Sequence, residues 1–293
     1  MWGTMVGSVT LEIARRVYRW RHSNIGIRKR LKRLRAELDA LPRSDIGILL
    51  RDFDPSLEER VAPMRKQDRE LIIGDFDQDG GLVPRFGQIV GAPTIAPTQF
   101  LPRTGSKVSL VDLNGRLGVR KDFASETGRF VLELEALLRL ERNGCPVPRV
   151  MNVDWNTHSI ILTFVAGHVV RELLATAGAN IRDRDLKEPF SRSRLRERTR
   201  VGLQYVPKIM SNTQIAGIAA GLNAIHSAGF ALEDVKFGNI ILEANSGQPI
   251  FIDLERALPI DRLPRKLADH LKEIDLKKFR EHFGGMPDEP VAR

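Results

Sequence analysis

The chain has 293 residues, 42% hydrophobic and 28% charged, with a formal net charge of +9, a balance that suits a globular protein with one sizeable core or two smaller lobes. One cysteine, Cys145, excludes an internal disulfide framework and fits a reducing, cytoplasmic compartment. No run approaches the roughly 20 apolar residues of a spanning helix, and the N-terminus lacks the pattern of a cleaved secretion signal.

The charge is concentrated at the start, where residues 1–43 hold eleven Lys or Arg against Glu12, Glu37 and Asp39. Ile13, Val17 and Trp20, then Ile27, Leu31, Leu34, Leu38 and Leu41, recur at spacings of three and four. That periodicity predicts one or two amphipathic basic helices, broken near His22 to Gly26. Such helices either pack their apolar stripe on the rest of the protein, leaving a solvated charged face, or lie on an anionic membrane surface with Tyr18 and Trp20 at the interface. An acidic partner is a further option, and nucleic acid is the least favoured of these.

Residues 44–103 are punctuated by Pro55, Pro63, Pro84, Pro93, Pro97 and Pro102 and read as a linker and extension. Within them DFDQDG, from Asp75, copies the opening of a calcium-binding loop. Its twelfth position, where a bidentate Glu belongs, is Phe86, so a polar turn is the better reading.

From Thr104 the pattern sharpens. Alternating apolar residues flank Asn114-Gly115, predicting a hairpin whose second strand ends at Lys121. SETGRFVLELEALLRLERNG then reads as a helix opened by Ser125 and closed by Asn143-Gly144, with Phe130, Val131, Leu134, Leu137 and Leu138 on its apolar face. Glu133 lies inside that arc, and Glu135 lies at its margin. A carboxylate held against a sheet needs a cation, and Lys121 is the nearest in pattern. Two more strands follow, turning at Asn156-Thr157 and breaking at Gly167.

The next segment, to about residue 208, is Arg-rich and reads as an insertion, either a solvated helix and loop or a lid meeting an anionic substrate. Order returns at SNTQIAGIAAGLNAIHSAG. Ser211 and Gln214 have capping-box spacing, Ile215, Ile218, Leu222 and Ile225 form one stripe, and Gly229 stops the helix. The chain then enters FALEDVKFGN and a hairpin in which Ile240 to Leu242 and Pro249 to Ile252 flank ANSGQ.

Asp234 precedes this hairpin, Asn239 opens its first strand and Asp253 ends its second, so the three converge at one end of a small unit. A carboxylate and an amide oxygen facing each other there are hard-oxygen ligands suited to Mg²⁺ on a nucleotide's phosphates. A third carboxylate without metal duty can orient an attacking hydroxyl and accept its proton. Lys236 would direct a positive charge at the transferring phosphoryl group.

These residues resemble the protein-kinase-like superfamily. DVKFGN is similar to the catalytic-loop pattern D-x-K-x-x-N, IDLE stands where D-F-G stands, GVRK resembles the end of the lysine strand, and ELEALLRL resembles the helix carrying its glutamate partner. The resemblance covers roughly residues 104–285. It implies an α+β, two-lobed fold: an N-lobe over 104–166 with a small antiparallel sheet and one helix, and a minimal helical C-lobe over 167–293 with an Arg-rich insertion at about 178–208. It further implies ATP and Mg²⁺ as cofactors. Lys121 would hold the α and β phosphates and pair with Glu133, Asp234 would be the catalytic base, and Asn239 and Asp253 would hold the metal. The backbone of Thr163 and Val165 would meet the adenine, and Gly105 in TGSK would mark the phosphate-covering loop.

The flanks depart from the family pattern. Leu232-Glu233 replace His-Arg before the base, Leu254-Glu255 replace Phe-Gly after the metal aspartate, and 40 residues remain after Asp253 without an A-P-E motif. This brevity resembles the compact atypical branch that includes lipopolysaccharide-core sugar kinases and RIO-type kinases, and implies a glycolipid, sugar or protein hydroxyl as acceptor. Two other classes stand beside an active kinase: a nucleotide-binding pseudokinase, suggested by the altered flanks, and a basic membrane- or nucleic-acid-binding module, suggested by residues 1–43. A cytoplasmic protein, peripheral at the inner membrane surface, is the expected location.

Overall fold

The computed structural model describes residues 2–40, 47–49, 71–76, 82–86, 107–113, 116–123, 126–177 and 192–284. They form an α+β protein with small, largely antiparallel sheets and helices packed against them.

The basic N-terminal segment forms α1 (Trp2–Asn24) and α2 (Ile27–Asp39). They part at Ile25 and Gly26, and Gly26 adopts a left-handed φ of 71° that a side chain would strain. Leu34 and Leu38 on α2 are buried in the main core.

Next come β1 (Ile48–Leu49), β2 (Leu71–Phe76), β3 (Leu82–Phe86), β4 (Lys107–Leu113) and β5 (Arg116–Asp122). The first three lie within the stretch read from sequence as linker. β2 pairs antiparallel with β3 and parallel with β4, extending the sheet outward. Asp75 therefore sits inside a strand, opposite Val83, and the rest of DFDQDG beyond Phe76 lies outside the described residues. The hairpin expected around Asn114-Gly115 appears as β4 and β5, paired from Leu113↔Arg116 to Lys107↔Asp122.

Helix α3 (Thr127–Arg142) starts after Glu126 without a side-chain cap, and Ser125 lies outside the described residues. It ends at Asn143, where Gly144 turns with φ 67°. β6 (Val150–Asp154) and β7 (Ser159–Thr163) complete the sheet in the order β3-β2-β4-β5-β7-β6, and β1 pairs with the end of β5 that β7 does not cover. Phe130, Leu134, Leu137 and Leu138 on α3 are buried in the core. Burying each contributes about 1.5–3 kcal/mol.

β8 (Gly167–Val169) and α4 (Val170–Thr176) follow. Part of the Arg-rich stretch is then a helix, α5 (Arg192–Ile209), whose Val206 is buried in the core. The stretch is thus structural over this half, because Val201, Gly202, Tyr205, Val206 and Ile209, just after the last of its arginines, make an apolar face. α6 (Asn212–Ser227) opens with the expected capping box: Ser211 Oγ accepts from the Gln214 amide at 3.2 Å, and Gln214 Oε1 accepts from the Ser211 amide at 2.9 Å.

The final elements are β9 (Phe230–Ala231), a 3-10 turn at Phe237–Asn239, β10 (Ile240–Glu243), β11 (Pro249–Phe251), β12 (Leu258–Pro259) and α7 (Arg265–Phe283). β10 lies between β11 and β8, and β9 pairs with β12. One hydrophobic cluster runs from α2 through α3 and α6 to Phe279 and Phe283 on α7. No helix among the described residues is long and apolar enough to cross a membrane.

Candidate active site

Lys121, near the end of β5, reaches across to two carboxylates far from it in sequence. Its Nζ lies 2.6 Å from Glu133 Oε2 on α3 and 2.6 Å from Asp253 Oδ1, just past β11. The α3 register puts Glu133 in the buried arc, and the β10–β11 hairpin delivers Asp253, since the Ile252 amide donates to the Asn239 carbonyl at 2.9 Å.

The second group centres on Asp234, between β9 and the 3-10 turn. Lys236 Nζ lies 2.6 Å from Asp234 Oδ2, and Asn239 Nδ2 donates to the Asp234 carbonyl at 3.0 Å and to Oδ2 at 3.3 Å. The Asn239 amide nitrogen is thereby used within the loop, which leaves its Oδ1 as an acceptor. Asp234 and Asn239 are thus joined by hydrogen bonds, as are Lys121, Glu133 and Asp253.

Two non-glycine residues here have left-handed backbones, Glu233 at φ 59° and Asp253 at φ 62°. Such conformations cost on the order of 1–3 kcal/mol and persist where surrounding contacts overdetermine them. At Glu233 those contacts are complete. Its amide donates to Asp275 Oδ1 at 2.7 Å, its carbonyl accepts from Lys278 Nζ, and its buried carboxylate is held by Arg15 at 2.8 Å and by Arg19. Asp275 Oδ2 also accepts from the Leu232 amide at 2.7 Å and lies 3.0 Å from His226 Nε2. A fully buried carboxylate on α7 and two arginines on α1 therefore fix the residues entering Asp234.

The electrostatics divide the two groups. Burial works to lower the Lys121 pKa, and Glu133 and Asp253 more than reverse it, so the ammonium is held charged. Burial, with Asp253 and Glu255 nearby, pushes Glu133 up to about 7 despite Lys121. Burial also raises Glu255, with Asp253 adding to it. For Asp234 burial again raises the pKa, but Lys236, Lys278 and Arg256 outweigh it and hold the carboxyl below its ordinary value. Asp234 is thus ionised at neutral pH, while around Lys121 three carboxyl groups, of Glu133, Asp253 and Glu255, share one ammonium.

That sharing bears on whether a divalent cation fits. Carboxylate oxygens of Glu133, Asp253 and Glu255 all lie within 4.8 Å of one another. Glu255 is 7% exposed, its Oε2 has no hydrogen-bond partner, and Arg129 Nη1 is 3.8 Å from it. At that distance the guanidinium offsets charge without making a hydrogen bond, so the buried oxygen keeps its acceptor capacity for a further cation. With Asn239 Oδ1 and Asp253, the donors are all hard oxygens, the set that Mg²⁺ takes.

The expected adenine contacts fare unevenly. Thr163 ends β7, and its amide already donates to the Arg149 carbonyl at 2.8 Å while its hydroxyl accepts from the Arg149 amide at 3.0 Å. That amide is therefore not open to a base. Val165 is half-buried in the connection to β8, and Gly105 lies outside the described residues.

Residues not singled out from sequence include Arg15, Arg19, Asp275 and Lys278. Asp275 had a readable signal: Leu267, Leu271, Phe279 and Phe283 recur every four residues or a multiple of four, with an acid at the central position, the same anomaly that marks Glu133. No protein-family model matches the chain, and no curated protein matches it.

Proposed function

We propose that the protein is a two-lobed, protein-kinase-like phosphotransferase that moves the γ-phosphoryl group of ATP, with Mg²⁺, to a hydroxyl of a glycolipid, sugar or protein. The observation that carries this reading is the double engagement of Lys121, 2.6 Å from both Glu133 and Asp253. A cation so placed joins the central strand of the sheet to the hairpin that carries Asn239, and Asp234 is bonded to that same asparagine.

In this reading Lys121 holds the α and β phosphates, oriented by Glu133. Asn239 and Asp253 hold the metal, with Glu255 as the buried carboxylate beside them. Bound there, Mg²⁺ supplies charge neutralisation on the phosphates. Asp234 orients the acceptor hydroxyl and takes its proton as the new O–P bond forms and the bond to the leaving diphosphate breaks. Its depressed pKa makes it a weak base, which suits orientation and late proton acceptance better than early abstraction. Lys236, already against Asp234, offsets charge on the group in transfer.

Thermal shift with ATP and Mg²⁺, followed by ATP turnover with sugar, glycolipid and protein acceptors, tests the proposal. Wild type should bind and turn over, and Asp234→Ala should bind but lose turnover by on the order of a hundredfold or more. Absence of nucleotide binding by the wild type sinks the reading. Binding without turnover on every acceptor class favours a nucleotide-binding pseudokinase, a reading supported by Glu233 and Glu255 in the flanks of the two acids.

A further inference from the structure

α1 packs with its charged face inward. Arg15 and Arg19 reach Glu233, the Tyr18 hydroxyl donates to the Pro259 carbonyl at 2.7 Å, and His22 Nε2 lies 3.4 Å from Glu135. Gly128 on α3 lets the helix come close, since a Cβ there would stand 2.6 Å from the Ser23 carbonyl oxygen. The apolar residues go the other way: Ile13 is 57% exposed, Val17 51%, Trp20 61% and, just past the helix, Ile25 53%.

At 3.6 residues per turn Ile13, Val17 and Trp20 fall in one narrow stripe, with Arg16 on one flank and Arg21 on the other, both exposed. In the sequence Trp2, Val6 and Val9 continue the same helical phase. Single exposed apolar side chains are ordinary, but a row of them in helical register, bordered by cations, marks a surface that meets something. α2 gives the contrast, because its stripe at Leu34 and Leu38 is buried and needs no partner.

We propose that the outward face of α1 docks on an anionic lipid bilayer, the helix lying in the plane of the surface. Ile13, Val17 and Trp20 enter the boundary between headgroups and acyl chains, and Arg16 and Arg21 meet headgroup phosphates. Charge separates this occupant from a second copy of the chain. Pairing two such stripes brings the arginine flanks of one copy toward those of the other, whereas an anionic surface compensates both flanks. The proposal stands whether or not the site transfers phosphate.

Sedimentation of the full chain with vesicles tests it, comparing phosphatidylcholine alone with phosphatidylcholine mixed with phosphatidylglycerol. Binding should be confined to the mixed vesicles and should weaken as salt rises. The double variant Val17→Glu/Trp20→Glu should lose it by about tenfold or more. Arg21→Glu should weaken it as well, and both variants should keep the wild-type melting temperature, because these side chains lie outside the core; Arg16 is left in place because it also pairs with Glu12 at 3.1 Å. Equal binding by the Val17→Glu/Trp20→Glu variant overturns the proposal. So does a wild-type dimer, seen by sedimentation equilibrium, that the same substitutions dissociate without any vesicle binding having occurred.

Discussion

Arg15 on the first helix lies 2.8 Å from the carboxylate of Glu233, 218 residues further along the chain and one residue before Asp234. Arg19 holds the other oxygen of that carboxylate, which is almost fully buried. The N-terminal helix thus grips the loop that presents Asp234. Truncating both arginines leaves a buried carboxylate without its cations, a change that costs on the order of 3–5 kcal/mol for a buried pair and less here, because both arginines are partly exposed. Arg15→Ala/Arg19→Ala should therefore melt several degrees lower and, on the phosphotransfer reading, lose kcat more than nucleotide affinity. A variant with wild-type kcat and KM would show that α1 has no part in ordering the loop.

Lys121 and Glu133 form a pair whose two members are unequally replaceable. Removing Lys121 strands Glu133 and Asp253 together, with Glu255 close by, in a site where burial already raises two of the three carboxyls. Removing the Glu133 charge leaves Lys121 paired with Asp253 at 2.6 Å. Lys121→Met should cost about 3 kcal/mol in urea unfolding and Glu133→Gln about 1 kcal/mol or less. Lys121→Met should also abolish any ATP-induced thermal shift. Equal costs for the two substitutions would contradict the shared-cation geometry.

Glu135 ties the N-terminal helices to α3 and does so in a pH-dependent way. Burial raises its pKa, but His22, Arg30 and Arg33 hydrogen-bond to it and hold it well below the usual carboxylate range. A carboxyl depressed in the folded state stabilises fully above its unfolded value, near 4.3, and that contribution is lost as pH falls toward the depressed value. Glu135→Gln lacks the contribution at every pH. The stability gap between wild type and Glu135→Gln, on the order of 2 kcal/mol at pH 7, should therefore shrink as the pH is lowered from 5 toward 2. Urea midpoints across that range provide the check, and a constant gap would rule out the ion cluster as its source.

What could be read from sequence and what could not divides along the range of the interaction. The β4–β5 hairpin, the Ser211 capping box and the acid inside the α3 apolar arc are local patterns, written within a few residues of one another. The strands at Leu71–Phe76 and Leu82–Phe86 fall in a stretch that reads as linker, because β2 joins the rest of the sheet only through β4, more than thirty residues on, and β3, though it pairs with the adjacent β2, carries Pro84 inside it. The engagement of Glu233 by Arg15 and Arg19 was not readable at all, since an inward arginine has the same helical spacing as a solvated one. The direction of α1 was misleading for the same reason. Its apolar stripe suggested the packed face, whereas the packed face is the charged one.

Asp275 offers the sharpest test of how the loop is held, because both of its oxygens are acceptors. Oδ1 takes the Glu233 amide and Oδ2 takes the Leu232 amide, each at 2.7 Å, with His226 Nε2 3.0 Å from Oδ2. Asparagine, nearly the same size, must turn its NH₂ toward one of these N–H donors, so one amide loses its acceptor and faces another donor. Alanine leaves both amides unpaired, at about 1–3 kcal/mol for each buried group. Asp275→Asn should therefore be nearly as damaging as Asp275→Ala, each lowering stability by roughly 2–5 kcal/mol. Hydrogen exchange should show faster opening at the Leu232 and Glu233 amides in both variants, ahead of global unfolding. If Asp275→Asn instead matches wild type in stability and in protection of those two amides, the carboxylate is not what fixes the approach to Asp234.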